Sequence, residues 1–148
     1  CAPGAVQKYL GRISGPLMDR IDLQVEIMPV PFDELSSMQP GERSEDIRRR
    51  VIAARHVQTR RFAGEPGVYC NAQMTPRLQE RYCRLDDAGM QVLRMAMNKF
   101  NMSARAYDRI LKVARTIADL DGAADIGRHH VQEAVGYRNL DRDTWGLR

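Results

Sequence analysis

The spacing of apolar positions predicts a mainly helical chain with one strand close to its start. In residues 21–27, apolar and polar side chains alternate, which is the period of a half-buried strand. A strand needs a neighbouring strand for its N–H and C=O groups, and no other segment here has this pattern. We therefore expect residues 17–27, with a helical turn at 17–20, to be part of a larger sheet.

After residue 43 the apolar positions change to the three- and four-residue spacing of helices. We predict helices at residues 44–62, 75–83, 86–98, 103–122 and 127–137. Ser44, Thr75, Asp86 and Ser103 are predicted to cap the first four of them. The helix in 103–122 is apolar over about half of its circumference, which predicts the central helix of a bundle.

The predicted fold class is mainly α: a helical bundle preceded by a short remnant of an α/β core with one strand. We expect residues 1–32 to form the end of that core. Pro40 and Gly41 lie in a polar segment, residues 33–43, which is typical of a linker. Residues 44–148 are then the helical domain. Since the chain begins with Cys1 rather than Met, we expect it to be a piece of a longer protein.

Composition adds modest constraints. Hydrophobic residues make up 43% and charged residues 28% of the chain, as in an ordinary globular protein. The formal net charge is +4, which is compatible with nucleic acid or nucleotide phosphate but does not require either. The three cysteines are not closely spaced, which argues against a disulfide framework or a zinc finger and favours a reduced, cytoplasmic setting. No apolar run approaches the length of a membrane span, so we expect no membrane association.

Several segments carry a resemblance to a known family. YLGRISGPLMDRIDLQVEI resembles the end of the core in the ComM family of magnesium-chelatase-like AAA+ ATPases. Three later segments resemble the helical lid domain of the same family: GERSEDIRRRV, SARAYDRILKVARTIADLDG and EAVGYRNLDR. The resemblance implies a homo-oligomeric ring, a hexamer, that hydrolyses ATP with Mg²⁺ and acts on DNA.

The resemblance assigns a catalytic role to Arg20, just before the last strand of the core. In AAA+ proteins one subunit inserts such an arginine finger toward the γ-phosphate of a nucleotide held by its neighbour. Its guanidinium stabilises the charge that develops on the transferred phosphoryl group. The alternative is a salt bridge with Asp19 or Asp22, and Arg12 is a weaker candidate for the finger.

The resemblance assigns a second role to Arg105, in the SAR motif of the long helix. This is the position of sensor 2, where an arginine of the lid contacts the nucleotide phosphates and couples the angle of the lid to the nucleotide. The alternative is a surface arginine paired with Asp108 or Asp119.

Several motifs are absent from the sequence. No lysine lies in a G-x-x-x-x-G-K-[ST] pattern, and no apolar strand ends in an Asp-Glu pair that would hold magnesium. We therefore expect ATP and Mg²⁺ to bind the full-length protein and neither to bind tightly to this chain alone. We predict no metal site: His129 and His130 have no third ligand at metal spacing along the sequence.

Other functions stay open at this point. A non-enzymatic helical module could bind nucleic acid through its basic helix faces, such as the one carrying Arg48, Arg49 and Arg50. A solvated helix face explains the same arginines. An ATPase subunit of a chelatase, which inserts magnesium into a porphyrin, is a third possibility.

Overall fold

The computed structural model describes residues 8, 12, 15–25, 27–32 and 41–138. Within them the chain forms six α-helices: α1 Gly15–Met18, α2 Ser44–Arg61, α3 Pro76–Tyr82, α4 Asp87–Lys99, α5 Ala104–Leu120 and α6 Arg128–Gly136. A 3₁₀ turn, Asn71–Gln73, lies between α2 and α3. The mainly α fold class predicted from the sequence is confirmed. The division into residues 1–32, 33–43 and 44–148 stays a prediction.

Helix α5 is the centre of the bundle, as its two apolar stripes predicted. It packs against α2, α3, α6 and the 3₁₀ turn, while α4 packs on α6. Its side chains Ala106, Ile110, Ala114 and Ala118 are fully buried. Alanine at three of these positions allows the neighbouring helices to approach closely, and larger residues such as Leu93 and Val131 fill the space between them.

Three of the predicted helix caps are confirmed. The side-chain oxygens of Thr75, Asp86 and Ser103 accept the backbone N–H groups of Leu78, Gly89 and Ala106 at 3.4, 2.7 and 3.3 Å. Each of these bonds satisfies a donor that the first turn of a helix leaves without a partner. The fourth cap is wrong, since α2 begins at Ser44 and its N-cap residue, Arg43, makes no side-chain cap bond.

The apolar face of α2 is only partly buried. Ile47 and Val51 are 43% and 47% exposed, whereas Ala54 is buried. Helix α2 lies against α5, and the buried side chain of Gln58 accepts the Asn71 N–H of the 3₁₀ turn at 3.2 Å. The spacing of apolar residues shows which face of a helix is apolar, but it does not show how much of that face a neighbour covers.

The strand predicted at residues 21–27 is not formed among the described residues. Residues 21–25 and 27 have no strand pairing, because no neighbouring strand is present in the described part of the chain. Most of the apolar side chains of this segment are exposed, with Val25 at 65% and Ile27 at 88%. The segment instead lies against the helical bundle, where Gln24 is buried and its N–H donates to the Tyr137 carbonyl at 2.8 Å.

A buried ionic network joins α2, the 3₁₀ turn and α5. The carboxylate of Asp119, fully buried, accepts from Arg61 at 2.5 and 2.7 Å and from Arg115 at 3.1 Å. Asn71 donates to the same carboxylate at 2.8 Å. The Arg115 guanidinium also donates to the carbonyls of Ala123 and Ala124, just after α5. The buried guanidinium of Arg115 and the mostly buried guanidinium of Arg61 are thereby paired, as a low-dielectric interior requires.

No helix in the described ranges is both long enough and apolar enough to cross a membrane.

Candidate functional site

The two arginines that the sequence singled out line one surface cleft. The cleft has a volume of about 350 Å³ and is lined by Asp19, Arg20, Arg105, Asp108, Arg109 and Lys112. Its first wall is the turn that follows α1, which carries Asp19 and Arg20. Its second wall is the polar face of α5, where residues 105, 108, 109 and 112 lie within two turns of one another.

Three of the lining side chains already have partners. Arg109 pairs with Asp22 at 2.8 Å, and Asp108 accepts from Gln79 at 3.0 Å. The ammonium of Lys112 donates to the Ala72 and Met74 carbonyls at 3.1 and 2.8 Å. These contacts hold α5 against the segments around it, so the three groups serve first to shape the cleft.

The pairings proposed as alternatives for Arg20 and Arg105 are not made among the described residues. Asp22, a proposed partner of Arg20, is paired with Arg109. Asp119, a proposed partner of Arg105, is buried among other arginines, and Asp108 bonds to Gln79. Both guanidinium groups are exposed and have no carboxylate partner in the described part of the chain.

The arrangement suits an anion with several oxygens. A guanidinium presents planar, paired N–H donors that match phosphate or carboxylate oxygens, and two of them face the same cleft. Arg105 lies in the first turn of α5, where the helix dipole also favours negative charge. The carboxylate of Asp19, on the wall that also carries Arg20, would repel an anion. It therefore favours a ligand whose negative charge lies nearer to Arg105. Arg12, the weaker candidate for the finger, is exposed and does not line this cleft.

A second depression adjoins the cleft at Asp108. It has a volume of about 530 Å³ and a mostly apolar floor that includes Cys83, Tyr107 and Leu111. Burial of the Cys83 thiol raises its pKa to about 11, with the nearby Arg115 opposing the shift. A thiol with so high a pKa is mostly protonated at neutral pH and is a poor nucleophile. This depression therefore supplies shape and apolar surface rather than a reactive group.

A cluster of two histidines and an aspartate was missed by the sequence reading. His129 and His130 were expected to have no third ligand, but Asp121 Oδ2 lies 3.5 Å and 3.2 Å from their Nε2 atoms. The three groups lie within 4.8 Å of one another. His130 is buried, whereas His129 is exposed. The third group comes from the turn after α5, eight and nine residues upstream, a spacing for which the sequence offers no metal-site signature.

Hydrogen bonds identify the role of this cluster. The N–H of Gly127 donates to His130 Nδ1 at 2.9 Å, so that nitrogen is an acceptor and the ring proton sits on Nε2, facing Asp121. A metal ion on Nε2 would move the proton to Nδ1, where it would oppose the Gly127 N–H. His130 is therefore part of the cap of α6, and the hydrogen bonds that Asp121 makes, first with His130 and second with His129, lower the pKa of its carboxyl group.

Comparison with known proteins places the chain in a family. Residues 41–138 match the family described as magnesium chelatase, subunit ChlI C-terminal, and residues 1–35 match magnesium chelatase, subunit ChlI. The chain is 42% identical to competence protein ComM of Haemophilus influenzae over 95% of its own length and 27% of the relative's. It is 41% identical to the uncharacterized protein YifB of Salmonella typhimurium over 96% of its length, again 27% of the relative's.

The matched part of these relatives is thus about a quarter of their length. The matches run through the cleft-lining segments on both walls, since residues 19 and 20 and residues 105–112 fall inside them. By its C-terminal domain and by its similarity to ComM, the chain belongs to the magnesium chelatase ChlI family and is ComM-like within it.

Proposed function

We propose that the chain supplies two arginines, Arg20 and Arg105, to ATP hydrolysis in a ring of AAA+ subunits that processes DNA. Arg20 is the arginine finger, and Arg105 is sensor 2. The nucleotide is held by a neighbouring subunit of the same protein. ATP and Mg²⁺ bind to parts of the full-length protein that this chain does not contain, so the chain alone is inactive.

The observation that carries the proposal is the shared cleft. Two exposed guanidinium groups without carboxylate partners among the described residues face one space of about 350 Å³. Solvated arginines are common, but two that converge from separate elements, residues 19–20 and α5, are positioned for one polyanion. An arginine finger contributes on the order of 10³ in rate because its charge is placed where the phosphoryl oxygens become more negative.

The shared cleft also bears on which nucleotide Arg105 contacts. If Arg20 contacts a phosphate held by the neighbouring subunit, we expect the second guanidinium, which lines the same cleft, to contact the same nucleotide. Both arginines then act across the subunit interface, and neither acts on the nucleotide of its own subunit. The angle between residues 15–24 and α5 would determine how well the two arginines fit the phosphates.

The test uses the full-length protein and its ATP hydrolysis. We expect Arg20→Ala to retain ATP binding and to lose on the order of 10³-fold in turnover. The matched control is Arg94→Ala, since Arg94 is an exposed arginine on α4 that does not line the cleft. Unchanged turnover in Arg20→Ala would remove the finger assignment.

Mixed rings test the subunit interface. A protein that cannot bind ATP but keeps both arginines should restore part of the turnover of Arg20→Ala when the two are mixed. The same mixing should rescue Arg105→Ala, because both residues face one cleft. Rescue of Arg20→Ala without rescue of Arg105→Ala would mean that Arg105 contacts the nucleotide of its own subunit.

The DNA part of the proposal is supported by the name of one relative, a competence protein. It is also supported by α2, where Arg49 and Arg50 pair with Asp46 and Glu42 but Arg48 and Arg55 are exposed and unpaired among the described residues. The latter two lie seven positions apart and so share one face of the helix. Stimulation of ATP hydrolysis by DNA in the full-length protein is the measurement that tests this part.

The same face of α2 supports a second candidate function, direct nucleic-acid binding by a non-enzymatic module. This alternative predicts that DNA affinity falls steeply with salt and that Arg48→Ala and Arg55→Ala weaken it. Binding that survives both substitutions, or that is absent at low salt, would remove the alternative. Measured insertion of magnesium into a porphyrin would instead favour the chelatase subunit.

A further inference from the structure

A buried arginine at the end of the bundle contacts the backbone beside Arg20. Arg138, just after α6, is 1% exposed, and its Nη1 donates to the Ile21 carbonyl at 2.6 Å. Ile21 is the residue that follows Arg20. The contact joins positions that are 117 residues apart in the sequence, so it is a tertiary contact and not a local turn.

Two further contacts hold the same segment. The Gln24 N–H donates to the Tyr137 carbonyl at 2.8 Å, and Asp22 pairs with Arg109 at 2.8 Å. Arg109 is one helical turn after Arg105 on α5. Residues 21–24 are therefore fixed to the end of α6 and also to the helix that carries the second arginine of the cleft.

The backbone on the other side of Arg20 is held as well. Its own N–H donates to the Leu17 carbonyl at 3.0 Å, and the Ile21 N–H donates to the Met18 carbonyl at 3.1 Å. Arg20 thus projects from a turn whose two ends are both hydrogen-bonded. Such a turn holds the Cα of Arg20 at a defined place on the wall of the cleft, while its long side chain stays exposed.

We propose that Arg138 is a positioning residue for Arg20. By holding the Ile21 carbonyl, it keeps Arg20 and Arg105 at the separation that lets both contact one nucleotide. This inference rests on the function proposed above and assigns part of its geometry to a residue that touches no phosphate. Catalytic contributions of this kind depend on sub-ångström placement, and a shift of about 1 Å can cost on the order of 10²-fold in rate.

An arginine is suited to this place for chemical reasons. Its planar guanidinium can donate to a carbonyl while other N–H groups make further contacts, whereas a lysine ammonium is a single point of charge. Arg138→Met keeps an unbranched apolar stem but removes the donor to Ile21. Arg138→Lys keeps the charge but changes the reach and the donor geometry. Arg128→Met, at the exposed start of α6, is the matched control.

The first readout is a double-mutant cycle, measured by ATP hydrolysis in the full-length protein. We expect Arg138→Met to lower kcat for ATP hydrolysis by about 10- to 100-fold with little change in KM, because the bound nucleotide is held elsewhere. Arg138→Lys should fall between Arg138→Met and the unchanged protein. In an Arg20→Ala background, Arg138→Met should have no further effect. Losses that multiply in the double variant would show that Arg138 acts independently of Arg20 and would overturn the proposal.

The second readout does not depend on activity. Amide hydrogen exchange of the full-length protein should show faster exchange at Gln24 in Arg138→Met and no change there in Arg128→Met. Unchanged protection at Gln24 would overturn the positioning role. If Arg20→Ala itself leaves hydrolysis intact, the proposed function fails, and faster exchange at Gln24 still shows that Arg138 holds this segment.

Discussion

The two ends of α5 use arginine in opposite ways. Near its end, Arg115 and the neighbouring Arg61 of α2 surround a fully buried carboxylate, Asp119. Near its beginning, Arg105 and the neighbouring Arg20 are exposed and face a cleft without a carboxylate partner among the described residues. Arg115 and Arg61 have their counter-charge in the protein itself, in Asp119. Arg105 and Arg20 leave space in which an anionic ligand could supply the counter-charge.

This difference shows how an arginine-rich helix can combine stability with binding. A buried guanidinium must be paired, since an unpaired charge in the interior costs several kcal/mol. An exposed guanidinium is solvated and can remain unpaired at little cost. Substitutions near the C-terminal end of α5 should therefore change the stability of the fold. Substitutions near its N-terminal end should change activity without changing stability.

The largest expected effect is on stability, from Asp119→Ala. The substitution removes the acceptor of the Arg61 and Arg115 guanidinium groups and of Asn71, so it should lower the free energy of unfolding by about 3–5 kcal/mol. Denaturant unfolding measures this loss. The control is Asp46→Ala, which breaks an exposed pair with Arg49 and should cost no more than about 1 kcal/mol. Equal losses in the two variants would contradict the contrast between buried and exposed pairs.

The next effect is on activity, from Arg105→Ala. Loss of a hydrogen bond to a charged phosphate, worth about 1.5–3 kcal/mol, should lower ATP turnover roughly 10- to 100-fold in the full-length protein. The free energy of unfolding should change by no more than about 0.5 kcal/mol, because the side chain is exposed. We also expect protease protection of the helical domain to stop responding to nucleotide. A substantial loss of stability would place Arg105 among the structural arginines.

A smaller effect is expected from the cap of α5. Ser103→Ala removes the acceptor of the Ala106 N–H and should lower the free energy of unfolding by about 1 kcal/mol. Ser103→Asp retains an acceptor at the same place and should preserve most of the stability. Thermal unfolding distinguishes the two variants. If both lose stability equally, the hydroxyl of Ser103 has a packing role instead.

The smallest effect is a pH dependence at the start of α6. Hydrogen bonds from His130 and His129 lower the pKa of Asp121 below its ordinary value of 3.8. Its stabilising contribution is therefore present above about pH 5 and is lost as the pH falls through the lowered pKa. The urea midpoint of Asp121→Asn should lie below that of the unchanged chain near neutral pH, and this difference should disappear as the pH falls. The control is Asp125→Asn, since Asp125 is an exposed aspartate in the same turn. The same pH-dependent difference in urea midpoint for that variant would argue against a specific role of Asp121.

The features that the sequence predicts correctly depend on interactions between residues close together in the chain. A cap such as Asp86 acts on a group three residues away, and the two apolar stripes of α5 follow from its helical period. The finger and sensor positions came from resemblance to a family, and their meeting in one cleft was not predicted. That meeting depends on how residues 15–24 lie against α5.

The features that sequence missed depend on partners far along the chain. Asp119 was treated as a candidate partner of Arg105, but its main partner is Arg61, 58 residues away. The sequence does not distinguish Arg138, because a lone arginine at the end of a helix has no pattern that separates it from a solvated one. The strand at residues 21–27 had the correct period, but strand pairing also requires a neighbour.

The contact between Arg138 and Ile21 also has a mechanical consequence. Because it joins two positions that the chain itself connects only through the whole bundle, a force applied to residues 15–24 is transmitted to α6 directly. Any rotation of this segment would therefore be passed to the bundle through this hydrogen bond, and not only along the 117 residues that separate the two positions in the sequence.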